Sequence, residues 1–243
     1  MRNISCLLGL AVLAVLGGCA SAPPYDPFRV TEEQFHAKVK RIALAPVAIS
    51  AQSGVSAETR QRFDAQLETR IQALGFATVP ARIWREAMER GERESGGLFD
   101  PKTGRLDSAK ADALIQRTMR EVQAQAQFDA VLFPTLQPVT ARFAAGIARW
   151  DGASEELFGK LFGVLPMGGN VSGTVGALTL VIEVKDAAGS LLYLQHGGVQ
   201  VLQKISGSTF TPVPKDEILT KDERNLRAIE IASEALSKKP AAK

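Results

Sequence analysis

The stretch ALTLVIEVKDAAGSLLYLQHGGVQV, residues 177–201, constrains the fold more than any other part of the chain. Residues 177–186 alternate between apolar and mainly polar side chains, which is typical of a strand with one buried face. The DAAG segment predicts a hairpin loop, and the apolar parity of the returning strand switches after Gly197-Gly198. A slip of one residue at paired glycines indicates a β-bulge. The stretch therefore predicts a bulged antiparallel hairpin.

Apolar residues at helical spacing predict four helices around this hairpin. They are residues 56–74, 80–90, 108–126 and 221–236. Ser56 is a natural N-cap, and Gly75 is a natural glycine at the C-terminal end of the first helix. Gly91 is expected to end the second helix. Thr220 and Glu223 form a predicted capping box at the start of the last helix.

Short apolar and β-branched runs predict the remaining strands. These runs are residues 41–49, 76–80 and 128–152, whereas residues 153–176 are predicted to be irregular. Pro134 and Pro138 lack backbone N–H groups, so part of the third run should be an edge or a bulge. The order β-α-β-α-α-β-β-β-β-α predicts the α/β (α+β) class, with a single mixed β-sheet and helices packed on it.

The amino-terminal residues are similar to a bacterial lipoprotein leader. Arg2 supplies positive charge, and the apolar residues 4–16 are too few for an ordinary transmembrane helix. The LGGC motif at residues 16–19 resembles the lipobox, which implies a diacylglyceryl group on the cysteine thiol, cleavage before the cysteine and acylation of the new amine. The alternative is a plain secretory signal with a chance cysteine. We expect a lipoprotein signal peptide over residues 1–18 and acylation, for example with palmitate, at Cys19.

If residues 1–18 are a lipoprotein leader, the roles of both cysteines follow from it. Cys6 leaves with the leader and Cys19 carries lipid, so the mature protein has no thiol for catalysis, metal binding or a disulfide. Residues 19–39 are expected to form the lipidated cysteine and a proline-rich tether, of which residues 20–30 reach roughly 35 Å. Residues 40–239 are predicted to be one domain and residues 240–243 a disordered tail.

The residue after Cys19 bears on localisation. It is Ala20 rather than aspartate. By resemblance to sorted enterobacterial lipoproteins, this implies a lipid anchor in the outer membrane, with the domain in the periplasm.

The sequence offers few groups for catalysis. It contains no motif of the phosphate-loop, dinucleotide-binding, zinc-protease or serine-hydrolase type. His196 lies beside the predicted bulge and is the more tempting base, although a partly exposed strand residue is the simpler interpretation. No catalytic residue, metal ligand or cofactor is predicted. The net charge of +3 gives no reason to expect a nucleic-acid partner.

Two apolar features are candidate partner-binding sites. Trp150 either anchors a partner or caps the core while the following Asp-Gly makes a turn, and we favour the turn. The glycine-spaced loop at residues 157–173 carries Phe158, Phe162 and Leu165. It is either a docking loop for a protein or lipid surface, or a segment folded back over the sheet.

Four segments carry a resemblance to known families. They are RIALAPVAI before a helix, LETRIQALGFATVP, FDAVLFPTLQP after a helix, and the hairpin LTLVIEVKDAAGSLLY. Together they resemble the α/β fold shared by the curli-secretion lipoprotein family, the amino-terminal domain of TolB and lipoprotein activators of penicillin-binding proteins. The resemblance covers roughly residues 40–236 and implies non-enzymatic work in the periplasm through protein contacts.

These observations lead to one functional hypothesis with two alternatives. The first is a membrane-anchored periplasmic lipoprotein that acts as an accessory or assembly factor, with the bilayer and an envelope protein as partners. The second is an oligomeric secretion or transport component, which a stable ring in detergent would support. The third is an envelope hydrolase, which requires a carboxylate within hydrogen-bond reach of His196.

Overall fold

The computed structural model describes residues 25–50, 53–100, 103–157, 172–206 and 209–237. Within them a curled mixed sheet carries five helices, which confirms the predicted fold class. The elements in chain order are α1 (Glu32–Lys38), β1 (Arg41–Leu44), β2 (Ala48–Ile49), α2 (Ala57–Ala73), β3 (Ala77–Val79), α3 (Ala81–Glu94), α4 (Ser108–Ala126), β4 (Ala130–Ala144), β5 (Ile147–Trp150), β6 (Ala153–Glu156), β7 (Ser172–Asp186), β8 (Leu191–Val201), β9 (Gln203–Ser206), β10 (Thr209–Pro212) and α5 (Asp222–Ser233).

The sheet joins a parallel half to an antiparallel half through β4. β1 lies between β3 and β4, and all three strands are parallel. β2 and β5 pair with later parts of β4 on the side that β1 occupies. On its other side β4 pairs antiparallel with β7 along its whole length, and β7 pairs with β8.

Helices cover both faces of the sheet, because successive residues of β1 and β4 point to opposite faces. On one face α1, α2 and α5 enclose the larger core, which includes Phe35, Ile42, Phe63, Leu67, Ile71, Leu132, Leu180, Ile182 and Ile229. On the other face α3 and α4 pack on the sheet and form a second cluster with it, which includes Ala43, Val79, Trp84, Met119, Val122 and Val131. A third cluster lies where the sheet curls, and it includes Phe143, Trp150, Val175 and Val201.

The predicted bulge at the paired glycines is confirmed. Leu178 pairs with Gln200, but the next residue, Thr179, pairs with Gly198, so that Val199 is the extra residue of β8. The Asp186 carboxylate accepts the N–H groups of Ala188 and Ser190 at 3.0 and 2.8 Å and closes the predicted hairpin loop.

The prolines of β4 explain an interruption in its pairing. β1 pairs with residues 130–132, β2 with residues 135–136 and β5 with residues 142–144. Pro134 and Pro138 lie in the two gaps between these pairings. A proline has no N–H to donate, so it is tolerated where the neighbouring strand is missing. The strand behaves as a local edge on this side, as predicted.

The amino-terminal boundary needs correction. Residues 25–39, predicted as part of a tether, pack on the domain instead. Thr31 and Gln34 form a capping box for α1, and Phe35 on that helix is buried. Phe28 forms a β-bridge with Tyr193 on β8. The described fold therefore begins well before Lys40.

Two helix boundaries also differ from the prediction. α3 continues past Gly91 to Glu94. Gly91 is buried where the helix crosses Leu114 of α4, and a Cβ there would lie 2.5 Å from the Leu114 Cδ1 atom, so the glycine allows the two helices to pack closely. The capping box predicted for α5 is wrong: the Thr220 hydroxyl donates to the Glu217 carbonyl, and no side chain caps the helix. The residues predicted as irregular include β6 and the beginning of β7.

Candidate functional site

A groove opens where β1 ends. The chain leaves β1 through residues 45–48, runs down α2 and returns as β3 on one side of β1, whereas β4 lies on the other side. The connection after β1 thus leads to one side of it, to β3, and the connection after β3 leads back past β1 to β4 on the other side. The direction of strand addition changes between β1 and β4. The crevice beyond the carboxyl ends of strands at such a point is where open α/β sheets bind ligands. The position alone makes this groove the leading candidate site.

The groove encloses about 510 Å³. This volume lies within the range of roughly 300–1,000 Å³ that is typical of ligand pockets. The Trp84 ring forms part of the wall and packs edge-on against Phe133, with ring centroids 5.5 Å apart. The lining residues are Ala45, Pro46, Val47, Ala48, Ala57, Arg60, Gln61, Asp64, Trp84, Arg85, Met88, Glu89, Glu92, Ile115 and Phe133.

Asp64 joins three elements of the groove wall. Its carboxylate accepts the Val47 N–H at 2.8 Å and the Arg85 Nη2 at 2.6 Å. The side chains of Asp64 and Arg85 are 7% and 28% exposed. Asp64 on α2 therefore holds the loop after β1 and the middle of α3 in fixed positions.

The protonation of Asp64 is shifted by its surroundings. Burial raises the pKa of its carboxyl above the ordinary 3.8, and this effect outweighs the opposing influences of the Val47 N–H and of Arg85. The folded protein therefore binds a proton at this site more tightly than the unfolded chain does.

We expect Asp64→Asn to remove a pH-dependent component of stability. Because the folded pKa is raised, wild-type stability relative to the variant should fall as pH rises above 3.8 and level off beyond the folded pKa. Urea unfolding of both proteins across a pH series measures this difference, with Asp112→Asn, an exposed change on α4, as the control. A difference that rises with pH would contradict the assignment.

The rim of the groove is charged, with opposite signs on its two sides. Arg60 on α2 is exposed on one side, and Glu89 and Glu92 on α3 are exposed on the other. Among the described residues none of these three side chains forms a hydrogen bond or an ion pair. The groove thus offers an apolar floor between a basic and an acidic rim.

Trp150 is not available to a partner. Its side chain is in the third cluster, 8% exposed, and its Nε1 donates to the Leu178 carbonyl at 3.1 Å. Asp151 and Gly152 have positive φ values of 40° and 74° and form the turn between β5 and β6. Trp150 thus lies against the core beside the Asp151–Gly152 turn, which is the arrangement that the favoured alternative describes.

His196 lies on β8 opposite Val181 and is partly buried. Within the ranges that the structure describes, its imidazole makes no hydrogen bond or ion pair. The carboxylate that the hydrolase hypothesis requires is thus not found next to His196 among these residues. The other predicted site residues, Cys19, Phe158, Phe162 and Leu165, lie outside the described residues.

The groove coincides with none of the sites predicted from the sequence, although α2 carries a signal for it. Asp64, Leu67 and Ile71 are spaced by three and four residues, so Asp64 belongs to the buried face of the helix. A carboxylate on such a face needs partners, because an unpaired buried charge is costly. Arg85 and Val47, however, are distant in sequence, and only the folded chain brings them to Asp64.

Within the described ranges, no three His, Cys, Asp or Glu side chains converge as metal ligands. No helix in these ranges is both long enough and apolar enough to span a bilayer.

The chain was compared with known proteins at three levels. No family model matches it, and no curated protein and no solved structure is similar to it above the significance threshold.

Proposed function

We propose that this chain is a lipid-anchored protein of the bacterial envelope and that its domain works by binding another envelope protein in the groove. The groove between Arg60 and the Glu89–Glu92 rim is the observation that carries the binding part of this proposal. The LGGC motif at residues 16–19 supports the anchor, and Ala20 supports the outer membrane with the domain in the periplasm.

The groove specifies the chemistry of its occupant. The partly buried Met88, Ile115 and Phe133 form an apolar wall that fits apolar side chains, whose burial provides most of the binding free energy. The rim favours a segment with an acidic group toward Arg60 and a basic group toward Glu89. The proposed occupant is therefore a protein segment with an apolar centre and oppositely charged flanks.

Site-specific photocrosslinking in intact cells tests this partner site. A benzoylphenylalanine at Met88, which lines the groove, should give an adduct of defined mass. Arg60→Glu makes the whole rim acidic and should abolish the adduct. Arg82→Glu is the matched control, because it makes the same charge change at an exposed position of α3 outside the groove.

Mass spectrometry of the adduct identifies the linked segment. An apolar stretch with acidic and basic flanks would support the proposal. An adduct at Met88 that survives Arg60→Glu, or adducts at the exposed Gln137 on β4 with none at Met88, would contradict it.

A further inference from the structure

We propose that residues 25–29, together with the edge of β8 on which they lie, form the surface that faces the phospholipid headgroups. We refer to residues 25–29 as the edge segment. The inference rests on the lipid anchor at Cys19 proposed above. It adds an orientation, which the anchor alone does not specify.

The edge segment is fixed to the sheet by hydrogen bonds. The Arg29 N–H donates to the Leu192 carbonyl, and the Leu194 N–H donates to the Pro27 carbonyl, both at 2.9 Å. The Tyr25 hydroxyl donates to the Leu194 carbonyl at 2.7 Å. The segment thus continues the sheet beyond β8, and Tyr25 is the first residue that the structure describes.

The chain between the anchor and this fixed point is short. Tyr25 follows Cys19 by six residues. Six residues span at most about 20 Å even when fully extended. Tyr25 is therefore confined to within about 20 Å of the lipidated sulfur.

The width of the sheet is comparable to this limit, so the limit restricts how the domain can be oriented at the bilayer. From the edge segment the order is β8, β7, β4, β1 and β3. Neighbouring strands lie about 4.8 Å apart, so these five steps place the β3 edge about 24 Å farther across the domain. With the β3 edge on the bilayer, Tyr25 would lie up to about 24 Å from it, which requires a fully extended connection to Cys19, so the chain length favours the edge segment as the side nearest the membrane. The groove, which lies between α2 and α3 beyond the end of β1, stays open to a partner.

The side chains of the edge segment suit a headgroup layer. The Tyr25 side chain is 53% exposed, and the Arg29 guanidinium lies 5.6 Å from its ring centroid. The Arg29 Nη2 also donates to the Tyr25 hydroxyl at 3.0 Å. Tyrosine places an apolar ring and a polar hydroxyl at a membrane interface, and arginine extends its charge toward the phosphates. The pair offers an exposed ring and a cationic group to the headgroups, beside the exposed Asp26, whose carboxylate accepts the Phe28 N–H at 2.9 Å.

Tryptophan quenching in proteoliposomes tests the orientation. The full-length acylated protein is reconstituted in phosphatidylethanolamine vesicles with a minority of phosphatidylglycerol and a nitroxide-headgroup lipid. Tyr25→Trp reports on the edge segment, and Arg82→Trp, exposed on α3 just after β3, reports on the opposite edge. Trp84 and Trp150 are buried and contribute equally to both variants. Thermal unfolding checks that each variant is folded.

We expect the added fluorescence of Tyr25→Trp to be quenched several-fold more strongly than that of Arg82→Trp. The same chain without Cys19 should show little quenching at either position, because the headgroup contacts of the edge segment are too weak to hold it at the vesicle without acyl chains. Equal quenching, or stronger quenching at Arg82→Trp, would overturn the orientation. Intact-mass measurement of the same samples shows separately whether Cys19 is acylated, so failure of the anchor is distinguished from failure of the orientation.

Discussion

Replacing Gly197 by alanine is expected to destabilise the domain severely. A Cβ at this position would lie far inside contact distance of the Ala228 carbonyl oxygen, 3.0 Å from the Ala228 carbonyl carbon and 3.1 Å from the Ala232 nitrogen. These are backbone atoms of α5, which cannot rotate away as a flexible side chain can. Overpacking of this kind should lower the free energy of unfolding by about 3 kcal/mol or more.

The close approach at Gly197 involves a whole helix. Ala228 and Ala232 on α5 are fully buried, and the Tyr193 hydroxyl of β8 donates to the Ala232 carbonyl at 2.8 Å. Moving α5 outward to admit a methyl group would also lengthen this hydrogen bond. The expected loss is a substantial fraction of the roughly 5–15 kcal/mol by which a domain is stable.

Gly176→Ala is the matched control for this prediction. Gly176 also lies in a central strand, but a Cβ there meets its nearest neighbour, the Gln203 side-chain oxygen, at an ordinary 3.6 Å. Alanine at this position should be neutral or stabilising by about 0.5 kcal/mol, because it reduces the entropy of the unfolded chain. Urea unfolding followed by circular dichroism measures both changes. Similar stabilities for Gly197→Ala and wild type would show that α5 does not pack as described.

The hairpin shows what can be predicted from the sequence. Alternation from residue 177 onward, the DAAG loop and the parity switch at Gly197 are local patterns, and each of them is present in the folded chain. The reason for the glycines themselves is tertiary. Gly197 faces the backbone of α5, and a side chain at Gly198 would clash with Trp150. Neither contact follows from any spacing in the sequence.

The amino-terminal segment shows the opposite case. Its prolines indicate an extended chain, which predicts a tether. Extended chain also suits pairing with a sheet edge, and the deciding contacts come from Phe28, which packs edge-on against Phe35 and Tyr193 with ring centroids 5.3 and 5.2 Å apart. For the described residues 25–29 the extended backbone agrees with the composition, but the partner strand is far away in sequence.

The second prediction of large effect concerns Cys19. Each methylene transferred into a bilayer contributes about 0.8 kcal/mol, and several acyl chains together make the anchor firm. We therefore expect the protein with its native leader to stay in the membrane fraction after high-salt and alkaline washes. The matched control is the chain from Ala20 onward behind an ordinary cleavable secretory leader. It should be released as a soluble periplasmic protein with the same unfolding transition.

Cys19→Ala in the native precursor provides a second test of the same residue. Without the thiol there is no site for diacylglyceryl transfer, and cleavage before residue 19 should fail. The variant should therefore accumulate with its leader attached and without acyl chains. A Cys19→Ala protein that is processed and retained like the wild type would contradict the anchor.

Intact-mass analysis of the protein isolated from its native membrane tests the central claim most directly. The proposed anchor predicts a chain that begins at Cys19 and carries the added mass of a diacylglyceryl group on the thiol and an acyl group on the amine. A chain that begins at any other residue, or a Cys19 with a free thiol, would contradict it.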